Sequence, residues 1–370
     1  MDVIAGTEYY LFGGYPDDYL HGQPGEIIGR RHGAICRATT DGAIWIPQLR
    51  RRPVPGEPAT FKLPATLALR GSLRDVPQIT EPLTRPAGGQ TYQEIGYREA
   101  GAVGYLEFSF PGGAMSTGRC RRLLAAYRCA QRRPVRVIVL GGRRDFFANG
   151  IDLNVVEAAA DPAAESWNNI NAIDDLVEAI LTTTDKLTVA ALAGNAAAGG
   201  LMLALAADQV WCRNGAVLNP HYQLMGLHGS EYWTYTLPRR VGAEEAARLT
   251  ETCLPVIPAA ALRSGLIDRV ITGGVLDYQG QVAALASQLA GSPDYHAQLA
   301  AKARQLVAAE AQQPLAAYRA AELAIMRRNF SGPGEPYPRL RRDFVYKTKA
   351  TRTPAHLAGQ LTLAANGVGA

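Results

Sequence analysis

The sequence predicts an α/β fold, with a small β-rich domain ahead of it and a helical region after it. Three observations carry this. Two apolar, β-rich runs, V-R-V-I-V-L and L-T-V-A-A-L, each end in a loop of small residues that leads into a helical pattern. Residues 1–75 instead alternate apolar and polar residues between Gly, Pro and Asp-Gly punctuation. From 276 to about 328 the chain is Ala-rich and reads as helix. The organisation expected is a β-barrel at 1–75, a linker at 76–92, an α/β core at 93–272 and a helical region at 273–370.

Composition narrows the function classes. The 370 residues are 47% hydrophobic and 19% charged, an ordinary globular balance. No apolar run reaches the ~18 residues of a membrane span, and no signal peptide follows Met1. The five cysteines are odd in number, scattered and free of C-x-x-C spacing, so structural thiols and a reducing cytoplasm are expected. The six histidines form no metal-ligand pair. A net charge of +5 without a Lys/Arg tract argues against nucleic acid and suits an anionic cofactor.

Taken in order, the β-rich region holds E-Y-Y-L-F-G-G-Y, P-G-E-I-I-G-R, G-A-I-C-R-A-T and G-A-I-W-I-P-Q-L. A small open barrel is the simplest architecture. Asp41-Gly42 is expected to turn a hairpin with positive φ. V-P-Q-I-T-E-P-L-T-R-P-A-G-G has no helical period and reads as a linker. G-Y-R-E-A-G-A-V-G-Y-L-E-F-S-F reads as two strands around a tight turn, followed by P-G-G-A-M-S-T and a helix over 117–132. Residues 152–185 are helical with a break at Asp161-Pro162, where Asp161 caps and Pro162 opens the second segment. Further helices are predicted over 242–249 and from Pro258.

The chemistry centres on 146–231. F-F-A-N-G-I-D-L and A-L-A-G-N-A-A-A-G-G-L-M-L-A-L-A-A-D each place small residues at a helix N-terminus, where backbone N–H groups and the positive dipole end are exposed. Two such loops side by side can aim two N–H donors at one oxygen, which is an oxyanion hole. With the later L-N-P-H-Y-Q-L-M-G-L and L-P-R-R-V-G, the combination resembles the enoyl-CoA hydratase/isomerase (crotonase) superfamily over about 97–272. The resemblance implies a spiral of ββα units, a coenzyme A thioester in an extended pocket, and oxyanion N–H donors at Ile151 and Gly199. It implies CoA contacts from Gly113, Ala114 and Met115 and from Ala148, Asn149, Gly150 and Ile151. Arg143 and Arg144 are candidates for the CoA phosphates, or solvated surface charge.

Hydratases of that superfamily use two glutamates. Here the first falls on Met202. The second falls on His221 counting forward from Pro220, or on Tyr222 counting back from Gly226. Neither place carries a carboxylate, so hydration lacks its acid–base pair. Glu231 is the only acid between Asp208 and Glu244 and stands among aromatics; buried, it would have a raised pKa suited to moving a proton. The catalytic candidates are Tyr222, Glu231 and His221, with Ile151 and Gly199.

P-G-E-I-I-G-R…A-T-T-D-G-A-I-W-I resembles the C-terminal barrel of the methionyl-tRNA formyltransferase family, whose catalytic α/β domain is expected to be missing from this chain. Barrel and crotonase-like core together resemble hydrogenase maturation factors of the HypX/HoxX type. That resemblance implies formyl-CoA as substrate, released as carbon monoxide and CoA for a [NiFe] centre. It implies formyl-tetrahydrofolate only where a formyl-transfer domain is supplied, and hydrogenase maturation proteins or a large-subunit precursor as partners. Two other readings stay open: a hydrolase or lyase acting on another acyl-CoA, and a non-catalytic module that binds a partner.

Overall fold

The computed structural model describes residues 1–84, 88–142 and 145–349. Its first 64 residues form two four-stranded antiparallel sheets. One runs β1 (Asp2–Ile4), β2 (Thr7–Phe12), β7 (Gln48–Arg51) and β8 (Leu63–Pro64). The other runs β3 (Tyr15–Asp17), β6 (Ala43–Ile46), β5 (Ala34–Ala38) and β4 (Ile27–Arg31). Their inward residues, including Ile35, Ile46 and Leu49, are buried together with helix α1 (Ala65–Ala68). Trp45 is fully buried and donates to Asp17 at 2.6 Å. The β5–β6 hairpin forms, but neither Asp41 nor Gly42 has positive φ. A longer 39–42 connection, closed by Thr39 N–H to the Gly42 carbonyl, removes that need.

The Pro-rich stretch is tied down where it is described. Arg30 exchanges backbone hydrogen bonds with Pro77 and Ile79, and Arg31 pairs with Glu81 at 2.7 Å. It leads into β9 (Ile95–Ala100) and β10 (Val103–Phe108), an antiparallel pair. Helix α2 (Thr117–Gln131) follows.

Next come β11 (Val137–Gly142), β12 (Phe146–Ala148), α3 (Leu153–Glu157) and α4 (Pro162–Leu181). Asp161 caps α4 through the Ala163 and Ala164 N–H groups, as its Asp-Pro sequence predicts. The pattern repeats with β13 (Leu187–Leu192), β14 (Asn195–Ala197) and α5 (Gly199–Leu205), then with β15 (Gln209–Arg213) and β16 (Leu218–Asn219). Each turn of this spiral adds one strand to each of two sheets. The large sheet has the order β17-β15-β13-β11-β10-β9, where β17 is Arg269–Ile271; the small one is β12-β14-β16. All pairs but β9–β10 are parallel. Both faces of β13 are buried, as a continuous apolar run requires.

Helices α6 (Trp233–Val241), α7 (Ala243–Thr252) and α8 (Pro258–Arg263) complete the core. The expected long Ala-rich helix is three: α9 (Val275–Ala290), α10 (Tyr295–Gln312) and α11 (Leu315–Ser331). Gly291, Pro293 and Pro314 interrupt it, since Pro cannot donate in a helix interior. α9 covers one face of the large sheet through Tyr278, Val282 and Ala286. α11 crosses α4 and α6, and α12 (Tyr337–Tyr346) packs on α3 with Arg341 paired to Glu157 at 2.8 Å.

Candidate active site

The two small-residue loops lie side by side. Asn149 N–H donates to the Gly113 carbonyl at 2.7 Å, and Met115 N–H to the Gly150 carbonyl at 2.9 Å. This short ladder joins the loop after β10 to the loop after β12. Gly150 has φ 78°, and a Cβ there would come 3.2 Å from the Gly199 nitrogen. A Cβ on Gly200 would overlap the Ala148 carbonyl, so only glycine lets α5 approach. The N–H groups of Ile151 and Gly199 have no acceptor among the described residues. Ala198, which precedes α5, has φ 47° and ψ −133°, a conformation that costs a non-glycine residue roughly 1–3 kcal/mol.

Buried charge holds the first loop. Arg119 lies between Glu94 at 2.9 Å and Asp152 at 3.1 Å and donates to the Ala114 carbonyl at 3.3 Å. Asp152 also caps α3 through the Val155 N–H. Asn169 of α4 accepts from the Asp152 N–H and donates to the Met115 carbonyl. Removing one member of such a cluster strands a buried charge, a cost of about 3–5 kcal/mol.

Glu231 faces the second loop. A Cβ on Gly199 would overlap its Oε1, which makes no hydrogen bond among the described residues. Oε2 accepts from the Tyr222 hydroxyl at 2.7 Å and from the Ser230 N–H at 3.0 Å. Glu231 is 1% exposed, and burial pushes its carboxyl from the ordinary 4.5 up to about 7, against the pull of those two donors. Burial, and then the Glu231 charge, push the Tyr222 hydroxyl well above its usual range. Gly229 has no Cβ to block the Tyr222 ring, which packs where one would be. Glu231 and Tyr232 are successive left-handed residues at φ 61° and 57°.

The sequence-predicted residues divide as follows. Tyr222, Glu231, Gly199, Gly150 and Ile151 converge. His221 is half-buried beside Tyr222, its N–H donating to the Asn219 carbonyl. Gly113 and Asn149 border the first loop, whereas the side chains of Met115 and Ala148 are fully buried in the core. Met202, where the resemblance sets the first hydratase glutamate, is fully buried too. Arg143 and Arg144 lie outside the described residues.

Three residues of the site were not anticipated. Asp174 of α4 accepts the Glu231 N–H at 2.8 Å and the Ser230 hydroxyl at 2.9 Å. Glu322 of α11 accepts the Tyr232 and Thr234 N–H groups. Asp174 carries a readable signal, because it sits on the apolar stripe of Ile170, Ile173 and Val177. Glu322 and Ser230 reach the site only through the tertiary fold.

A cleft of about 370 Å³ opens from Ile151, Ala114 and Asn149 towards the β-rich region. Arg50, Lys62 and Lys347 line its far side, and none has an ion-pair partner among the described residues. Burial and the neighbouring Lys62 charge lower the Lys347 ammonium pKa. Phe61 and Tyr346 close the cleft edge to face, ring centroids 5.1 Å apart. Among the described residues no group of acids, histidines and cysteines could hold a metal, and no helix is long and apolar enough to cross a membrane.

The family model for enoyl-CoA hydratase/isomerase matches residues 101–333. Hydrogenase maturation factor HoxX of Bradyrhizobium diazoefficiens is 45% identical over 360 residues, 97% of this chain and 61% of its own length. The crystal structure of HypX from Aquifex aeolicus in complex with tetrahydrofolic acid superposes with TM-score 0.91 at 41% identity, over 95% of this chain and 62% of that one. Enoyl-CoA hydratase from Bacillus halodurans, at 22% identity and TM-score 0.59, shares the fold. The chain thus spans about three fifths of the length of its HoxX and HypX relatives. Its spiral of paired strands, its two apposed loops and these similarities agree: the chain belongs to the enoyl-CoA hydratase/isomerase family, and within it is of the HoxX/HypX type.

Proposed function

We propose that this chain takes part in hydrogenase maturation by releasing carbon monoxide from formyl-CoA for a [NiFe] centre. The observation that carries this is the Tyr222–Glu231 pair set against Gly199, with no donor to Oε1 of Glu231 among the described residues; the resemblance, which sets Met202 in place of a hydratase glutamate, supports it. The name of the HoxX relative supports the pathway, and the family supports an acyl-CoA thioester.

In this reading the thioester oxygen accepts from the N–H groups of Ile151 and Gly199. Ionised Glu231 takes the formyl proton on Oε1. The C–H electron pair stays on carbon as the lone pair of CO, an oxygen lone pair forms the third C–O bond, and the C–S pair leaves with sulfur. Glu231 then returns the proton to the thiolate, giving CO and CoA with no water consumed. A carboxyl with a pKa about 7 is present in both forms at neutral pH, which suits one group to both transfers. Tyr222 and the Ser230 N–H hold Oε2 and so aim Oε1. Arg50, Lys62 and Lys347 supply positive charge for the CoA phosphates. Formyl-tetrahydrofolate would enter upstream, through a formyl-transfer domain, to charge CoA.

The test compares Tyr222→Phe with His221→Asn in formyl-CoA turnover, with CO read by a haem reporter. Tyr222→Phe should lower CO output ~10²-fold at nearly unchanged CoA affinity, because Glu231 loses the donor that aims Oε1 and with it the low end of acid–base help. Loss of CO in His221→Asn with full output in Tyr222→Phe would move the reactive role to His221.

A further inference from the structure

Behind Glu231 lies a second buried carboxyl pair that the proposed chemistry does not use. Asp174 and Glu322 are 0% and 1% exposed, and the Ser230 hydroxyl sits between them. Ser230 Oγ is 2.9 Å from Asp174 Oδ2 and 3.2 Å from Glu322 Oε2. One hydroxyl has one hydrogen, so it can donate to only one of two carboxylates. The other contact is a hydrogen bond only if that carboxyl itself carries a proton.

The surroundings say which one does. Glu322 is saturated with donors: Oε1 accepts from the Thr234 N–H at 2.9 Å and its hydroxyl at 2.5 Å, and Oε2 from the Tyr232 N–H at 3.0 Å. Asp174 has one backbone donor, the Glu231 N–H on Oδ1. The nearest cation, Arg319 of α11, stands 3.8 Å away and is engaged by Asp175 at 2.6 Å and Glu178 at 3.0 Å. The groups facing Asp174 are therefore Glu231 and Tyr222 from the loop, Glu322 and Arg319 from α11, and Tyr232. Cys120 of α2 faces Glu231. A single shared guanidinium does not balance three buried carboxyls.

We propose that Asp174 is a positioning residue for Glu231: it is protonated at neutral pH, donates to Ser230 Oγ, which donates to Glu322, and holds the Glu231 N–H. The consequence is a fixed backbone. The left-handed pair Glu231–Tyr232 persists because Asp174 holds the first N–H and Glu322 the second. A neutral Asp174 also spares Glu231 a buried negative neighbour, so Glu231 can ionise for the reaction. Burial, followed by the Glu231 charge, pushes the Asp174 carboxyl well above the usual range; burial raises Glu322 too, but its donors from Thr234, Tyr232 and Ser230 oppose it.

The effect on catalysis rests on Glu231 being the reactive carboxylate; the effect on stability does not. Asparagine copies a protonated aspartate, with its amide nitrogen donating to Ser230 and its oxygen accepting the Glu231 N–H. A raised folded pKa means that native Asp174 keeps a proton the unfolded chain gives up near the ordinary 3.8. Wild-type stability therefore falls as pH rises above that value, and Asp174→Asn removes this slope. Melting temperatures of the full chain should coincide near pH 4, and the variant should melt higher than wild type by pH 7.5. It should keep wild-type kcat within about threefold. Glu322→Gln places an amide donor against the donors of Thr234 or Tyr232 and should melt lower at every pH. Asp174→Leu removes the acceptor for the Glu231 N–H and should lower kcat ~10-fold or more with KM for the thioester unchanged. The proposal is overturned if Asp174→Asn melts below wild type at pH 7.5, or if Glu322→Gln is tolerated and Asp174→Asn is not. Wild-type stability and turnover in Asp174→Leu would equally overturn it. A formyl-CoA assay that yields no CO from the wild type fails the functional reading alone and leaves the melting test standing.

Discussion

Replacing Glu231 with glutamine tests whether the carboxyl facing Gly199 is held near neutrality by burial. The amide oxygen can take the place of Oε2 and accept from Tyr222 and the Ser230 N–H, while the nitrogen takes the place of Oε1. Glu231→Gln is thus a fixed copy of the protonated state. Raising the pKa from the ordinary 4.5 to about 7 corresponds to about 3 kcal/mol against the ionised form. Because the folded value lies above the unfolded one, the native state binds more protons between these limits. Wild-type stability then falls as pH rises from 4.5 through about 7 and levels off above it. The variant lacks this dependence. Urea denaturation followed by circular dichroism should give equal stabilities near pH 4.5, and at pH 7.5 a variant more stable by about 3 kcal/mol. CO output should fall ~10²–10⁴-fold, since glutamine accepts no proton. A variant less stable than wild type at pH 7.5 would show instead that Glu231 is ionised and well compensated in the fold.

Other outcomes follow from the same geometry. Gly199→Ala puts a methyl group where Glu231 Oε1 lies, so turnover should drop ~10²–10³-fold, as for a lost oxyanion donor, and thioester titration should show weakened binding. Lys62→Ala with Lys347→Ala should raise the calorimetric Kd for CoA ~10-fold, a sum of modest exposed contributions, and leave binding of a phosphate-free pantetheine thioester unchanged. Activity of the wild type should rise with pH through about 7 as Glu231 ionises, and flatten above.

Much of this fold could be read from the chain because its signals are local. The strand runs before both loops, the Asp161-Pro162 break and the start of α2 are fixed by residues within a few positions of one another. The apposition of two glycine-bearing loops was legible through their shared pattern, and Glu231 through its isolation among aromatics. Gly291, Pro293 and Pro314 were legible breakers inside an Ala-rich stretch whose composition masked them. Asp174 and Glu322 stand 57 and 91 positions from Glu231, and no local pattern joins them to it. Only the crossing of α4, α6 and α11 does, and that crossing is set by packing. The cationic lining of the cleft was invisible for the same reason: Lys62 and Lys347 belong to opposite ends of the sequence.

The proposed reaction breaks formyl-CoA without consuming water. The most direct measurement is the fate of ¹³C-labelled formyl-CoA incubated with the wild-type chain, with CO captured by a haem reporter, formate followed by NMR and free thiol titrated. Labelled CO and CoA thiol are expected in equal amounts, with no formate above the uncatalysed background and crotonyl-CoA left unhydrated under the same conditions. Labelled formate in step with thiol release would contradict this and make the site a hydrolase.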